Sequence, residues 1–254
     1  MQAISHFLSV TQNANRPILT HYHSFRDEIS GPVAARWVAK MANLLASDLS
    51  PDLFGGDENT PRILINLPAG WQSTFWQVSA NFMGWETRTD TISQDSPSIA
   101  FSFDVHVSDE LVPLEASTAA WRLAHSITPL AMRWRGPLPA GILDALAELM
   151  AQSDQFEYEA LESAPALDNY IAQVDAEEDA LFKAASALGM PTRLGLYTEN
   201  FPSAPLLTRL WLAGHSVVIV DKSHYDAQKA QEIFASEKVQ LAVNEELKAP
   251  HSRG

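Results

Sequence analysis

The chain has 254 residues, 46% hydrophobic and 19% charged, with a formal net charge of −14 and no cysteine. That length and apolar content suffice for one large domain or two small ones, and seven Trp with eleven Phe are not the composition of a disordered chain. The charge argues against binding nucleic acid or anionic membrane surfaces, and the lack of Cys removes disulfides, thiolate metal sites and cysteine nucleophiles together.

The start, Met1-Gln2-Ala3-Ile4-Ser5-His6, lacks the basic and apolar regions of a signal peptide, and no stretch approaches the roughly 20 apolar residues of a membrane span, so the expected location is the cytoplasm. Ile18 to Tyr22 reads as a short strand. Ser30 caps a helix that admits Pro32 in its first turn and carries Val33, Trp37, Met41, Leu44 and Leu45 on one face. Ser50-Pro51 stops it, and residues 51–61 read as a loop. Ile63 to Leu67 is a continuous apolar run, as expected of a strand buried on both faces. Trp71, Phe75, Val78 and Phe82 then mark an amphipathic helix, Gly84 its C-cap, and Trp85 to Asp90 a second strand.

Further on, Ile99, Phe101, Phe103 and Val105 alternate like a strand with one wet face, and Leu114–Ala124 is expected as a helix. Pro129, Pro137 and Pro139 break up the next stretch. Ile142, Leu146, Leu149 and Met150 suggest a short helix, residues 153–168 an acidic loop, and Tyr170 to Leu188 one longer helix ended by Gly189 and Pro191. Arg193–Tyr197 is a strand, Leu206–Trp211 a helix closed by Gly214, and Ser216–Val220 a β-branched run ending at Asp221. Residues 62–90 and 193–221 thus repeat the order strand, helix, Gly, strand, a spacing that suits parallel strands joined by a right-handed crossover. A helix at Asp226–Ser236, a strand at Val239–Val243 and a frayed tail from Asn244 complete the chain. The expected organisation is a first α/β subdomain over residues 1–190 with an irregular central region, a second β-α-β-α-β unit over 191–244 packed on it, and the tail 245–254.

Several stretches resemble a known family. Ile29-Ser30, the Trp37–Leu44 helix, Arg62-Ile63-Leu64-Ile65-Asn66-Leu67-Pro68 and the helix running to Gly84 look like the N-terminal subdomain of AMP-binding, adenylate-forming enzymes, the acyl-CoA synthetase-like (ANL) superfamily. Leu206–Leu212, Ala213-Gly214, Val217–Val220, Asp226–Ser236 and Val239–Val243 are similar, in order, to that family's second subdomain. Thr20-His21-Tyr22, Trp37 to Leu45, Leu138 to Asp144 and Asp154-Gln155-Phe156 look like a small actinobacterial family of truncated AMP-binding-like proteins, a resemblance that implies fold and not mechanism. The implied fold class is α/β, a three-layer α/β/α arrangement with mostly parallel sheets and two related halves, as in the N-terminal domain of acetyl-CoA synthetase.

The same resemblance directs attention to the residues that depart from it. The enzymes hold ATP phosphates on a Ser/Thr/Gly-rich loop ending in Pro-Lys-Gly, where glycines, converging N–H groups and a cation meet. Between Gln155 and Arg193 this sequence has one Gly, Gly189, and one Lys, Lys183. The match also stops near Asn244, before the family's adenine-binding region and catalytic lysine, and Tyr197-Thr198-Glu199-Asn200 replaces a strand-end His common in the enzymes. No cofactor is expected beyond residual ATP or AMP binding.

Ligands of parallel sheets gather at the carboxyl ends of strands near a switch point. Tyr197, Thr198, Glu199 and Asn200, with Asn66 and Trp71 at the equivalent end of the other unit, are therefore the candidate ligand-binding residues, against the plain reading that strand-to-helix loops are polar anyway. A concave pocket lined by Trp71, Tyr197 and Glu199 would favour a ligand site. Asp221 reads as a turn cap, Asp175–Asp179 as a solvated helix face, Arg133-Trp134-Arg135 as a loop packed on acidic surface, and His21 with His23 as a surface pair on one strand face rather than a metal site. The sequence thus suggests a non-catalytic remnant of an adenylate-forming enzyme, a pseudoenzyme serving as a binding or interaction module with a homodimer or protein partner. The alternatives are a small-ligand (nucleotide or acyl) enzyme that lost adenylation, or one half of a split adenylating enzyme.

Overall fold

The computed structural model describes residues 3–49, 60–89, 103–158 and 164–243. In chain order these form α1 (Ala3–Gln12), β1 (Pro17–Tyr22), β2 (Arg26–Ser30), α2 (Gly31–Ala46), β3 (Arg62–Asn66), α3 (Trp71–Phe82), β4 (Glu86–Arg88), β5 (Val105–Ser108), α4 (Leu111–Ala116) and β6 (Trp121–Ala124). The remaining elements are β7 (Ile142–Asp144), α5 (Ala145–Ala151), α6 (Ala164–Ile171), α7 (Ala176–Ser186), β8 (Arg193–Thr198), α8 (Ala204–Leu212), β9 (Ser216–Asp221), α9 (Ala227–Ser236) and β10 (Leu241–Val243). The chain divides into two compact units, unit 1 mainly residues 5–35 and 167–254, unit 2 mainly residues 36–166.

Unit 1 holds a five-stranded sheet in the order β10-β8-β9-β1-β2. All neighbours are parallel except the β1–β2 hairpin. The β-branched run of β9 fills the sheet centre. Val218 and Val220 pack against Ala230, Ile233 and Phe234 of α9, while the alternate residues Val217 and Ile219 are equally buried, so both faces are covered. Gly195 of β8 serves the same contact: a Cβ there would come within 2.8 Å of the Phe234 ring. Trp211 of α8 is buried and donates its indole N–H to the Ile18 carbonyl at 3.0 Å. At the start of α2, a Cβ on Gly31 would lie 1.9 Å from the Thr11 carbonyl oxygen, so only glycine lets the end of α1 lie there.

The amino end of this sheet is tied by a buried ion pair. The Arg193 guanidinium reaches Glu237 Oε2 at 2.5 Å, Thr20 Oγ1 at 3.0 Å, Ser216 Oγ at 3.4 Å and the Pro17 carbonyl at 3.2 Å. Glu237 Oε1 accepts from Tyr22 Oη at 2.7 Å and Arg26 Nη2 at 2.9 Å. Burial alone would raise the Glu237 pKa. The bonds from Tyr22, Arg193 and Arg26 outweigh it and bring the value down to about 2.

Unit 2 holds a second sheet, β4-β3-β5-β6-β7, parallel throughout. All four residues of β5 are buried. Ser79 of α3 donates to the Val38 carbonyl of α2 at 3.2 Å, and Asn43 of α2 binds the backbone of Ser153, Gln155 and Glu157. Asp144 ends β7 and caps α5, accepting from the N–H groups of Leu146 and Ala147, and its second oxygen accepts from Trp134 N at 2.8 Å.

Both expected β-α-β repeats form, β3-α3-β4 and β8-α8-β9, with parallel strands and left-handed glycines Gly84 (φ 76°) and Gly214 (φ 79°) closing their helices. The α8–β9–α9–β10 order also matches expectation. Ser30 accepts from Val33 N at 3.4 Å, as a cap should.

Four expectations are corrected. The stretch expected as a helix over Leu114–Ala124 is a helix only to Ala116 and then strand β6. Ile142 belongs to a strand and only Ala145–Ala151 is helical. The loop expected to Asp168 already contains the first turns of α6. The single helix over Tyr170–Leu188 is two, because Asp175 turns its side chain onto the Glu178 N–H at 2.8 Å and starts a new helix. The expected strand residues Ile99 and Phe101, the Ser50-Pro51 stop and the tail from Asn244 lie outside the described residues.

Candidate functional site

Each sheet has one place where the strand order reverses. In unit 1 the chain leaves β8 through α8 to β9 on one side, then leaves β9 through α9 and crosses back to β10 on the far side of β8. A crevice between the carboxyl ends of β8 and β9 results from that reversal. Thr198 and Asp221 are register partners there.

Around them the polar groups are largely occupied. Thr198 Oγ1 donates to the Asn200 carbonyl at 3.0 Å and accepts from its N–H at 3.1 Å, closing a turn. Tyr197 donates its hydroxyl to the Tyr225 carbonyl at 2.9 Å and carries the Lys222 ammonium 5.3 Å from its ring centre. Asp221 Oδ1 accepts from both the N–H and hydroxyl of Ser223 at 2.7 Å, which is the turn-capping role expected of it. Glu199 is exposed.

Sequence reasoning did not assemble the aromatic cluster beside this turn. His21, at the carboxyl end of β1, stacks on His23 with centroids 4.4 Å apart and meets the Phe201 ring edge-on at 5.1 Å. His23 in turn lies 4.0 Å from Phe25 and 3.4 Å from Asp27. Burial, then the neighbouring His23, lowers the His21 pKa to about 4; Asp221 works in the opposite direction and His224 in the same one. The two-residue spacing of His21 and His23 predicts a shared face. Phe201 and His224 come from loops remote in sequence, which no spacing rule could join to them. Among the described residues no group of three or more His, Asp and Glu is placed to hold a metal.

In unit 2 the reversal falls between β3 and β5, whose carboxyl ends are Asn66 and Ser108. Asn66 Nδ2 donates to Ser108 Oγ at 3.3 Å, and Ser108 also accepts from Glu110 N at 3.1 Å. Trp71 opens α3 half-buried and packs between Trp37 at 5.7 Å and Phe75 at 5.6 Å. His125, just beyond β6, is 1% exposed and sits edge-on to Trp76 at 6.3 Å, and among the described residues neither of its ring nitrogens has a hydrogen-bond partner. Burial lowers its pKa to about 4 despite the Ser126 backbone and Asp144. Of the sequence-derived candidates, Tyr197, Thr198, Glu199 and Asn200 therefore belong to unit 1, and Asn66 and Trp71 to unit 2.

The segment in which the family resemblance looks for a phosphate loop is occupied by α6 and α7. Its lysine, Lys183, pairs with Asp179 at 2.6 Å, and Asp179 also holds Arg209 at 2.7 Å. Glu178 is 7% exposed and accepts from the Ser203 N–H at 2.9 Å and hydroxyl at 2.6 Å, fastening α7 to the start of α8. The acidic run is thus partly a structural clamp, where a solvated face was expected.

Solved structures decide the fold. Amide bond synthetase McbA from Marinactinospora thermotolerans superposes with a TM-score of 0.56 at 14% identity, over 94% of this chain and 48% of that one. The chain has the fold of the N-terminal part of adenylate-forming enzymes. Acetoacetyl-CoA synthetase from Streptomyces lividans gives 0.58 at 14% identity, over 87% and 38%. The Klebsiella oxytoca NpsA N-terminal subdomain, in complex with 3-hydroxyanthranilyl-AMSN, gives 0.52 at 12% identity, over 95% and 59%. The chain therefore spans between 38% and 59% of the length of these proteins. No family model and no curated protein matches the sequence. No helix among the described residues is long and apolar enough to cross a membrane.

Proposed function

We propose that this chain is a binding module on the adenylate-forming N-terminal fold, without adenylating chemistry of its own. The observation that carries this reading is the fate of the segment before β8. Asp179 and Glu178 tie α7 to α8, and the segment's one lysine, Lys183, lies on α7 and pairs there with Asp179, so its described residues present helices and no lysine without an acidic partner for a triphosphate. The NpsA N-terminal subdomain holds 3-hydroxyanthranilyl-AMSN, so an N-terminal part of this fold is able to bind a ligand.

The binding surface proposed here is the carboxyl edge of the unit 1 sheet, where His21, Phe201 and the Tyr197–Asn200 turn offer flat rings beside polar backbone. The ligand class that fits is a small planar acid or amide. Thermal-shift titration with anthranilate, AMP and Mg-ATP, run beside ATP–pyrophosphate exchange, tests the reading. A planar ligand at 100 times its dissociation constant stabilises by about 2.7 kcal/mol. Exchange above background with any acid in the panel would sink the non-catalytic reading, and a Mg-ATP shift would reopen it.

A homodimer is proposed as the cover for the exposed apolar side chains Val112 (65%), Leu130 (98%) and Met132 (61%). A monomer at high micromolar concentration by light scattering overturns that part alone.

A further inference from the structure

At the amino end of the unit 1 sheet, opposite its carboxyl edge, lies an open cavity of about 510 Å³ lined chiefly by Arg16, Glu28, Arg193, Glu237, Lys238 and Gln240. Its two carboxylates are spoken for. Glu28 is paired with Arg26, and Glu237 holds Arg193, Arg26 and Tyr22. The buried Arg193 guanidinium is likewise committed to Glu237, Thr20, Ser216 and the Pro17 carbonyl.

Arg16 and Lys238 remain. Both are exposed, and among the described residues neither has an acidic partner. Gln240 accepts from the Arg193 N–H at 3.0 Å through its carboxamide oxygen, which leaves its NH2 group as a further donor. The rim therefore presents three donors without acceptors among the described residues, on a chain whose net charge is −14.

Lys238 carries a second signal. It lies just past the C-cap of α9 at φ 55°, in the left-handed region that favours glycine, and its N–H closes the helix onto the Ala235 carbonyl. A glycine would make that turn more easily and would bring no charge. The lysine sets an ammonium on the cavity wall at the expense of backbone ease.

We propose that this cavity binds the phosphate group of a small phosphomonoester between Arg16 and Lys238, with Gln240 as a neutral donor. A guanidinium supplies paired N–H donors and an ammonium a compact charge, a combination that suits a dianion with three accessible oxygens. The volume is within the range of small-molecule sites and exceeds what a bare phosphate fills.

The test is calorimetric titration of the full chain at fixed ionic strength and pH 7.5 with inorganic phosphate, phenyl phosphate and succinate. Binding of phenyl phosphate at least tenfold tighter than succinate is expected, with inorganic phosphate weaker than the ester. Arg16→Gln and Lys238→Gly should each weaken phenyl phosphate about tenfold, the usual scale for one charge-assisted contact. Glu115→Gln, exposed on α4 of unit 2 and in neither proposed ligand surface, should leave it unchanged. Lys238→Gly keeps the turn, so its loss of binding is not a loss of fold, and an unchanged or raised melting temperature will show that. No heat with phenyl phosphate, equal affinity for succinate, or phenyl phosphate binding that survives both substitutions overturns the proposal. So does inorganic phosphate binding more tightly than the ester, since the site would then take the free ion.

Discussion

Replacing Glu237 by Gln keeps the shape of the side chain and removes the charge that Arg193 and Arg26 share. Two estimates of the cost converge. The carboxyl pKa falls from an ordinary 4.5 to about 2 in the fold, which at 1.36 kcal/mol per pH unit corresponds to about 3 kcal/mol. Breaking a buried ion pair while leaving one partner in place costs about 3–5 kcal/mol by itself. With side-chain exposures of 6% for Arg193 and 13% for Glu237, solvent screening takes little from either figure. Urea unfolding monitored by far-UV circular dichroism should therefore show the variant about 3 kcal/mol less stable at pH 7. Because the folded-state pKa is depressed, the stabilisation is complete above pH 4.5 and is lost as the pH falls towards 2. The gap between wild type and variant should close over that window. In a double-mutant cycle, Arg193→Met should cost less in the Glu237→Gln background than in the wild type. A loss under about 1 kcal/mol at pH 7, or a gap constant between pH 7 and pH 3, would refute the reasoning, since either result means the pair is solvated as well in the folded chain as in the unfolded one.

The packing sets three further outcomes. His125 titrates at about 4 in the fold and near 6.5 when unfolded, so the unfolded chain takes the proton first and stability falls as pH drops from 6.5 to 4. His125→Leu should remove its share of that dependence and leave those of His21 and His106, gaining about 3 kcal/mol on the wild type between pH 7 and pH 4 in thermal melts. Asp144→Ala loses the α5 cap and the bond from Trp134 N, about 1 kcal/mol each, and Asp144→Asn should recover roughly half of the total. Gly31→Ala should cost about 3 kcal/mol in chemical denaturation, because its Cβ would meet the Thr11 carbonyl at 1.9 Å and backbone moves less readily than side chains.

The two β-α-β repeats were legible because their strands are buried on both faces and their helices end in left-handed glycines, signals that depend only on local sequence. Strand β2, Arg26-Asp-Glu-Ile-Ser30, was not, since an edge strand with solvent on one side needs few apolar residues and resembles a loop. Strand β6 is four residues between polar turns, too short for its period to separate from a helix. The break between α6 and α7 was available in Asp175 with Glu178 three residues on, a capping pattern that outranks the continuing apolar spacing. At the candidate site, Tyr197 to Asn200 do lie at a strand's carboxyl end, but the Tyr197 and Thr198 hydroxyls serve backbone turns. His125 gave no sign at all, because a lone histidine after an apolar run has the same spelling whether its nitrogens are bonded or orphaned.

The placement of β1 beside β9 has a consequence for how the chain is made. Leu19 pairs with Val217, so the middle of the unit 1 sheet joins residues nearly two hundred positions apart. Unit 2, drawn mainly from residues 36–166, can complete its sheet while the ribosome is still at work on α7. Through all of that time the β1–β2 hairpin waits with the open side of β1 unpaired, offering its N–H and C=O groups to any other nascent chain. Synthesis that stalls between Thr198 and Ser216 should yield aggregates seeded at the N-terminus rather than at the stalled end, and a chaperone that holds residues 17–30 would shorten that exposure more than one acting anywhere downstream.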